Sequence, residues 1–292
     1  MVYNIKISEI IMQNIAIIPN TTKDIGLTAT RRAADYLLGK ANILMDKSFE
    51  VTRINAEYMP KKELFNRADK MVIIGGDGTI LQEAADCAKA DIPVLGINLG
   101  KVGFLTEIEV DEIESALKKL LTDDYKIEPR MLLRVEIRRQ GQAVFSHHAL
   151  NDVVVSKPSG ARLISMELYA DKELMYKYTA DGLIIATPTG STGYSISAGG
   201  PVVDPNMELY VATPICAHML SVRSAVLSAN RPITIRMDDE YRDNEAVVTT
   251  DGDVLCYING ADEVVILKSK YRFKLIKTGD KSFYDTLISK LS

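Results

Sequence analysis

The sequence predicts an α+β protein: an α/β N-terminal domain built on a mostly parallel sheet, followed by a β-rich domain and a short terminal helix. Three observations carry this. Up to Pro129, short apolar runs alternate with stretches whose apolar residues recur at helical spacing, the pattern of parallel strands covered by helices on both faces. Beyond Pro129 the period drops to two, with Leu133, Val135 and Ile137 alternating with Arg134, Glu136 and Arg138, so one face is buried and the other wet. The 292-residue length suits one large or two ordinary domains. The expected boundaries are 1–129, 130–277 and 278–292.

The elements follow in order. "IAIIPN" (15–20) is a short apolar run closed by Pro and Asn, hence a strand. Thr28 to Met45 reads as a helix, with Ala33, Ala34, Leu37, Leu38 and Leu44 at compatible spacing. "VTRI" (51–54), "MVII" (71–74) and "PVLGIN" (93–98) read as strands, and Ile80 to Ala88 as a helix between the last two. Val110 to Leu121 reads as a helix with acids early and lysines late, as the helix dipole favours. The second domain shows "MLLRVEIRRQGQAVF", "DVVVS", "SMELYA", "LIIAT", "PITIRM", "AVVTT", "EVVIL" and "FKLI", with turns at Asp171-Lys172 and Asn259-Gly260. Ser282 to Leu291 reads as an amphipathic helix packing back on the first domain.

Composition bounds the function. Apolar residues make up 47 % and charged residues 25 %, as in globular proteins. The net charge of −4 lacks the basic footprint of a nucleic-acid binder. Cys87, Cys216 and Cys256 fall at no metal or redox spacing and fit a reducing, cytoplasmic setting. The N-terminal "MVYNIKISEI" does not read as a signal peptide. Leu209 to Leu227 is the most apolar long segment, but Pro214, His218 and Arg223 argue against a membrane span.

Three stretches carry chemistry. In "MVIIGGDGTILQEAA" (71–85) a strand ends in Gly75-Gly76-Asp77-Gly78-Thr79 and a helix begins. Free N–H groups at that helix start suit a phosphate, and glycine lets it approach; a tight turn capped by Asp77 is the competing reading. "NLGKVGFLTE" (98–107) is a second glycine loop after a neighbouring strand, so both converge where open α/β sheets bind ligands. "TADGLIIATPTGSTGYSISAGGPVVDP" (179–205) packs hydroxyl and glycine residues beside a strand, as a backbone-lined polar site does. Asn151 and Asp152 in "LNDVVV" are suited to a sugar or a base edge, or simply to a turn. There is no GxxxxGK[ST] loop, no strand-then-GxGxxG fingerprint and no GxSxG elbow. His147, His148 and His218 do not form a metal-ligating pattern.

On these motifs, in this order and covering nearly the whole chain, the sequence resembles the NAD kinase family. The resemblance implies a Rossmann-like N-terminal domain, a C-terminal β-sandwich and an active site in the cleft between them. It implies transfer of the ATP γ-phosphate to the adenosine ribose 2′-hydroxyl of NAD. An Asp near a triphosphate needs a cation close by, so Mg²⁺ is expected, bound mainly through phosphates and water. Asp77 would be the general base, and Gly75, Gly76, Gly78 and Thr79 would hold phosphate, with Phe104 near the adenine or phosphate loop. NAD would meet Asp77, Gly78, Asn151, Asp152, Arg162, Asp181, Thr192, Gly193, Tyr194, Ser195, Ile196 and Ser197. A homodimer or homotetramer is implied, since such sites are often completed across a subunit contact. Nucleic acid and membrane are not expected partners.

The chain departs from the family pattern in places. Asp152 stands where Glu is usual, and Gly193 replaces the Ala of "STAY". Ala217, Met219 and Ser224 differ from the usual Pro, Ser and Pro, and Asp253 takes the place of a Gln, so the roles of His218, Arg223 and Asp253 stay open. Two other readings share the GGDGT motif or the fold: a lipid or sugar kinase, and a non-catalytic NADP sensor. Lipid kinases of that kind place Asn-Glu soon after the Thr, whereas Ile80-Leu81-Gln82-Glu83 follows here.

Overall fold

The computed structural model describes residues 12–101, 103–218, 223–238 and 245–291. The N-terminal segment read for a signal peptide, Val102 of the second glycine loop and Met219 lie outside them. The first part of the chain runs β1 (Asn14–Pro19), α1 (Thr28–Leu37), β2 (Asn42–Asp46), β3 (Glu57–Met59), α2 (Lys61–Arg67), β4 (Lys70–Gly75), α3 (Asp77–Lys89), β5 (Pro93–Asn98) and α4 (Ile113–Leu121). Strands β6 (Lys126–Arg139), β7 (Gln142–Ala149), β8 (Asp152–Ser156), β9 (Ile164–Ala170), β10 (Glu173–Ala180) and β11 (Gly182–Ala186) follow. After the short α5 (Tyr194–Ser197) come β12 (Leu209–Ile215), β13 (Ala225–Ser228), β14 (Ile233–Met237), β15 (Ala246–Thr250), β16 (Asp253–Ile258), β17 (Asp262–Lys277) and α6 (Phe283–Leu291).

The α/β expectation holds. β5, β4, β1, β2 and β3 lie side by side in that order, all parallel. The chain grows outward from β1 through β2 to β3, then returns to β1's other edge with β4. The order therefore reverses between β1 and β4, and open α/β sheets bind ligands beyond the carboxyl ends of such strands. The loops found there are residues 20–24 after β1 and Gly76 after β4, with 99–101 and 103–106 after β5.

Two local expectations fail for visible reasons. The helix read from Thr28 to Met45 stops at Leu37, because Leu38 turns extended and Gly39 takes a positive φ of 72°. Leu44 and Met45 are instead fully buried in β2, beside β1. "VTRI" is not a strand. Lys47–Thr52 forms a 3-10 turn capped by Asp46, whose carboxylate accepts from Ser48 N at 2.9 Å. Val51 is accordingly exposed, and the strand comes later, at Glu57–Met59.

The β-rich part is a sandwich. One layer is β13-β12-β11-β8-β15-β16. The other contains β10, β9, β14, β17, β6 and β7. Between them lie Leu133, Val135, Val153, Val155, Met166, Leu168, Leu183, Ile185, Ile235 and Ile266. β8 and β11 read as unbroken apolar runs because both their faces are covered. Val153 and Val155 face the sandwich core, while Val154, Ile184 and Ala186 face Val203, from the hydroxyl- and glycine-rich segment.

The two sheets of the chain's halves are not separate. The first part of β17 pairs with β14 and β6; its last part pairs with β6 and also, in parallel, with β5 at Lys274↔Pro93 and Leu275↔Val94. The expected boundary after Pro129 falls inside β6, which follows β17 across both halves. Helix α3 is wedged against this joint: Ile80, Ala84 and Cys87 share a core with Met71 and Ile73 on one side and Leu132, Leu150 and Phe273 on the other. The α6 helix packs its Phe283 ring 5.6 Å from that of Phe104, and Tyr284 Oη donates to Asp204 at 2.8 Å.

Candidate active site

The β4–α3 turn places Asp77 at the first position of α3, where the helix N-terminus favours a carboxylate. Its carboxylate is held by the second glycine loop. Phe104 N donates to Oδ2 at 2.8 Å, while Leu105 N, Thr106 N and Thr106 Oγ1 donate to Oδ1 at 3.1, 3.0 and 2.9 Å. Two glycine motifs separated by some twenty residues are thus one unit, tied by one acid. Gly103 is glycine because a Cβ there would overlap that carboxylate.

The glycines of the turn do different jobs. A Cβ on Gly75 would collide with Thr79 and come within 2.9 Å of Asn20 Cβ, so Gly75 makes room for packing. Asn20 in turn donates through Nδ2 to Thr79 Oγ1 at 2.8 Å. A Cβ on Gly76 would sit 2.8 Å from Lys23 Nζ, while Gly78 faces open space. Lys23 is exposed and has no ion pair among the described residues. The sequence reading took Asn20 only as the residue that closes "IAIIPN" and did not single out Lys23 in the loop that follows.

The other motifs assemble around Leu150–Asp152. Thr187 N donates to Asn151 O at 2.8 Å and Thr187 Oγ1 to Leu150 O at 2.6 Å. Gly190 packs directly on the Asn151 backbone and its N donates to Thr187 Oγ1 at 3.0 Å; a Cβ on Gly190 would lie 2.8 Å from Asn151 Cα and nearer still to its carbonyl. From the opposite side, Asp251 accepts from Leu150 N at 2.7 Å, Asn151 N at 2.7 Å and Asp152 N at 3.1 Å. Asn151, Asp152, Tyr194 and Asp251 line one cavity of about 440 Å³ together with Leu81, one turn along α3 from Asp77.

Of the remaining expected residues, Thr192, Gly193 and Ile196 are half-buried, and Ser197 is exposed. Ser195 is fully buried, with its hydroxyl 3.0 Å from that of Thr213, which fixes α5 on β12. Asp181 and Arg162 stand elsewhere. Asp181 pairs with Lys157 at 2.7 Å, next to the far end of β8, where Gly182 opposes Ser156 rather than Asp152. Arg162 lines a separate cavity of about 560 Å³ with Pro158, Gly160 and Glu245. At roughly 3.3 Å per residue, a five-residue strand separates the two ends of β8 by about 13 Å. Phe104's ring lies under Lys290 Nζ, 4.9 Å from its centroid. His218 donates its N–H to Thr179 O at 2.9 Å, Arg223 is exposed, and Asp253 opens β16 opposite Thr250.

Burial pushes the Asp152 carboxyl up to about 7, and the neighbouring Asp251 adds to this. Burial also pushes Asp251 up to about 6, against the backbone N–H groups it accepts. Both values are raised above the ordinary ~4, so the folded state favours the neutral acids. Stability is therefore given up as pH climbs from about 4 to about 7. The melting temperature is expected to be lower at pH 8 than at pH 5, with Asp152→Asn reducing that difference. An Asp152→Asn curve parallel to that of the unaltered protein would refute the assignment. Burial holds His148 down to about 4, and its ring meets Tyr271 edge-on at 5.3 Å, as a packed histidine does.

The chain is similar to known proteins over nearly its whole length. Residues 15–125 match a family model described as the ATP-NAD kinase N-terminal domain, and 150–278 one described as the ATP-NAD kinase C-terminal domain. A protein of Lachnoclostridium phytofermentans named NAD kinase is 38% identical over 283 residues, covering 96% of this chain and 99% of that protein. Another of that name, from Geobacter metallireducens, is 40% identical over 230 residues, covering 79% of this chain and 81% of its own. Among solved structures, yeast NADH kinase complexed with NADH superposes with a TM-score of 0.86 at 24% identity, covering 96% of this chain and 87% of that one. An NAD kinase from Archaeoglobus fulgidus in complex with ATP gives a TM-score of 0.71 at 28% identity, covering 96% and 98%.

Proposed function

This chain belongs to the NAD kinase family, and from that premise we propose that it transfers the γ-phosphate of ATP to the adenosine ribose 2′-hydroxyl of NAD, giving NADP and ADP. The observation that carries the assignment of the site is the shared cavity: Leu81, from the helix headed by Asp77, lines it with Asn151, Asp152 and Tyr194 of the β-rich half. The ribose oxygen forms its bond to the γ-phosphorus as the bond to the β,γ-bridging oxygen breaks. Its proton passes to Asp77. Oδ1 already accepts three hydrogen bonds but Oδ2 accepts one, and this supports Oδ2 as the atom that meets the hydroxyl. In phosphoryl transfer, positioning and charge neutralisation supply most of the rate, so a well-held acceptor serves better than a strong base.

The donor phosphates fit the open side of Gly78 and the α3 N-terminus, with the Lys23 ammonium beside Gly76. Lys23→Ala is expected to raise KM for ATP roughly tenfold, about the worth of one charge-assisted hydrogen bond, with KM for NAD little changed. Equal effects on both substrates in steady-state kinetics would remove Lys23 from the donor site. Among the described residues no group of three or more acids, histidines or cysteines is arranged to hold a metal. That donor set fits a Mg²⁺ that arrives on the triphosphate, ligated by phosphate and water oxygens, where it would neutralise phosphate charge.

Asp181 and Arg162 lie away from the Asn151 cavity within one chain, and this supports a homo-oligomer in which they serve a neighbouring subunit's site. The exposed Val254 and Tyr257 on the edge strand β16 support the same reading, and light scattering in solution tests it. Free cysteines support a cytoplasmic setting. The decisive assay is purified protein with ATP, Mg²⁺ and NAD, coupled to an NADP-specific dehydrogenase. NADP formation is expected. Phosphorylation of a lipid without NADP, or NADP binding without turnover, would overturn the proposal.

A further inference from the structure

We propose that Asp251 is a positioning residue for the dinucleotide, holding the Asn151–Asp152 backbone in the shape that presents both side chains to the substrate. The inference rests on the reading of those two residues as NAD-binding. Asp251 and Gly252 form the two-residue turn between β15 and β16, with φ of 50° and 92° and Thr250 paired to Asp253. Two consecutive positive φ values mark a type I′ turn, which few residues besides Asn, Asp and Gly adopt without strain. The turn does not hang free. It folds under the start of β8, where the Asp251 carboxylate accepts from three successive N–H groups, those of Leu150, Asn151 and Asp152. Asp251 N also donates back to Asp152 O at 3.1 Å.

Those N–H groups precede and begin β8, and Asp251 supplies their acceptors. On the carbonyl side the same peptides are gripped by Thr187. The backbone of 150–152 is thus clamped from both edges by residues that are distant in sequence. What remains directed at the cavity is the Asn151 and Asp152 side-chain surface. A carboxylate is required because three donors converge on one group: both oxygens are used, Oδ2 by Leu150 and Oδ1 by the other two.

The chemistry gives a selective test. Asp251→Asn keeps the volume and the turn preference, but it has a single acceptor oxygen, and its NH2 group would face a backbone N–H. Asp251→Gly keeps the turn and deletes the acceptor altogether, which serves as the second variant should the first fold poorly. With full-length protein, both are expected to raise KM for NAD roughly tenfold to a hundredfold, the loss typical of hydrogen bonds to a charged group. KM for ATP should stay within about twofold, while the melting temperature falls by several degrees because backbone N–H groups lose their acceptor. Unchanged NAD kinetics would overturn the proposal, as would a parallel rise in both KM values. If the unaltered protein forms no NADP, the underlying reading fails and takes this one with it; turnover with Asp251→Asn kinetics indistinguishable from it defeats Asp251 alone.

Discussion

The Asp77→Asn variant is expected to fold, to bind NAD with near-normal affinity, and to lose roughly a hundred- to ten-thousandfold in kcat, the range for removing a general base. The geometry says why the fold survives. An amide oxygen placed at Oδ1 still accepts from Leu105 N, Thr106 N and Thr106 Oγ1. At the other position an NH2 group would confront Phe104 N, so one backbone donor loses its partner at a cost of about 1–3 kcal/mol. That same position is the one proposed to receive the ribose proton, and an NH2 group cannot accept it. Coupled-assay turnover, calorimetric NAD affinity and melting temperature together make the test. Near-normal turnover would remove Asp77 from the chemistry and leave it as the tie between two glycine loops.

Gly190→Ala is expected to be the most disruptive single methyl group in the β-rich half. Its Cβ would press on the backbone of Asn151, which cannot rotate aside as a side chain can. Asn151 is itself fixed by Asp251 on its N–H side and by Thr187 on its carbonyl side, so the strain spreads through the whole clamp. Overpacking of this kind costs about 3 kcal/mol, which for a chain of this size corresponds to a drop of roughly 6–12 °C in melting temperature. NAD affinity should fall together with it. By contrast Gly78→Ala meets nothing within 4 Å and should leave the melting temperature almost unchanged. A Gly190→Ala protein as stable as the unaltered one would show that the 187–193 segment is free to move away from Asn151.

Much of this was legible in the sequence where a period or a turn signal was long enough to be unambiguous. The apolar runs of β1, β4 and β5, the helix after Gly78 and the alternation in β6 all appear where expected. Errors arose where local signals were short. Leu44 and Met45 fit a helical period by chance, and the Gly39 that ends α1 was outweighed by them. "VTRI" has strand-forming residues, but Asp46 caps a turn there and the valine faces solvent. The proposed general base and both glycine loops could be named from the sequence, yet the bond between them could not, because Asp77 and Thr106 meet through tertiary folding. Asp251 was hidden for the same reason. Its Asp-Gly pair announces a hairpin, and nothing in the neighbouring residues says what the carboxylate will accept.

Strand β17 has a consequence for how the molecule is made. The edge of the first-formed sheet, at β5, is completed by Lys274 and Leu275, which leave the ribosome long after β5 itself. Until then β5 presents an open edge, and Ile80 and Ala84 of α3 lack the Phe273 they pack against. Nascent chains arrested at about residue 125 should therefore expose a sticky strand edge and recruit chaperones, whereas synthesis through β17 lets that strand close both halves in one step.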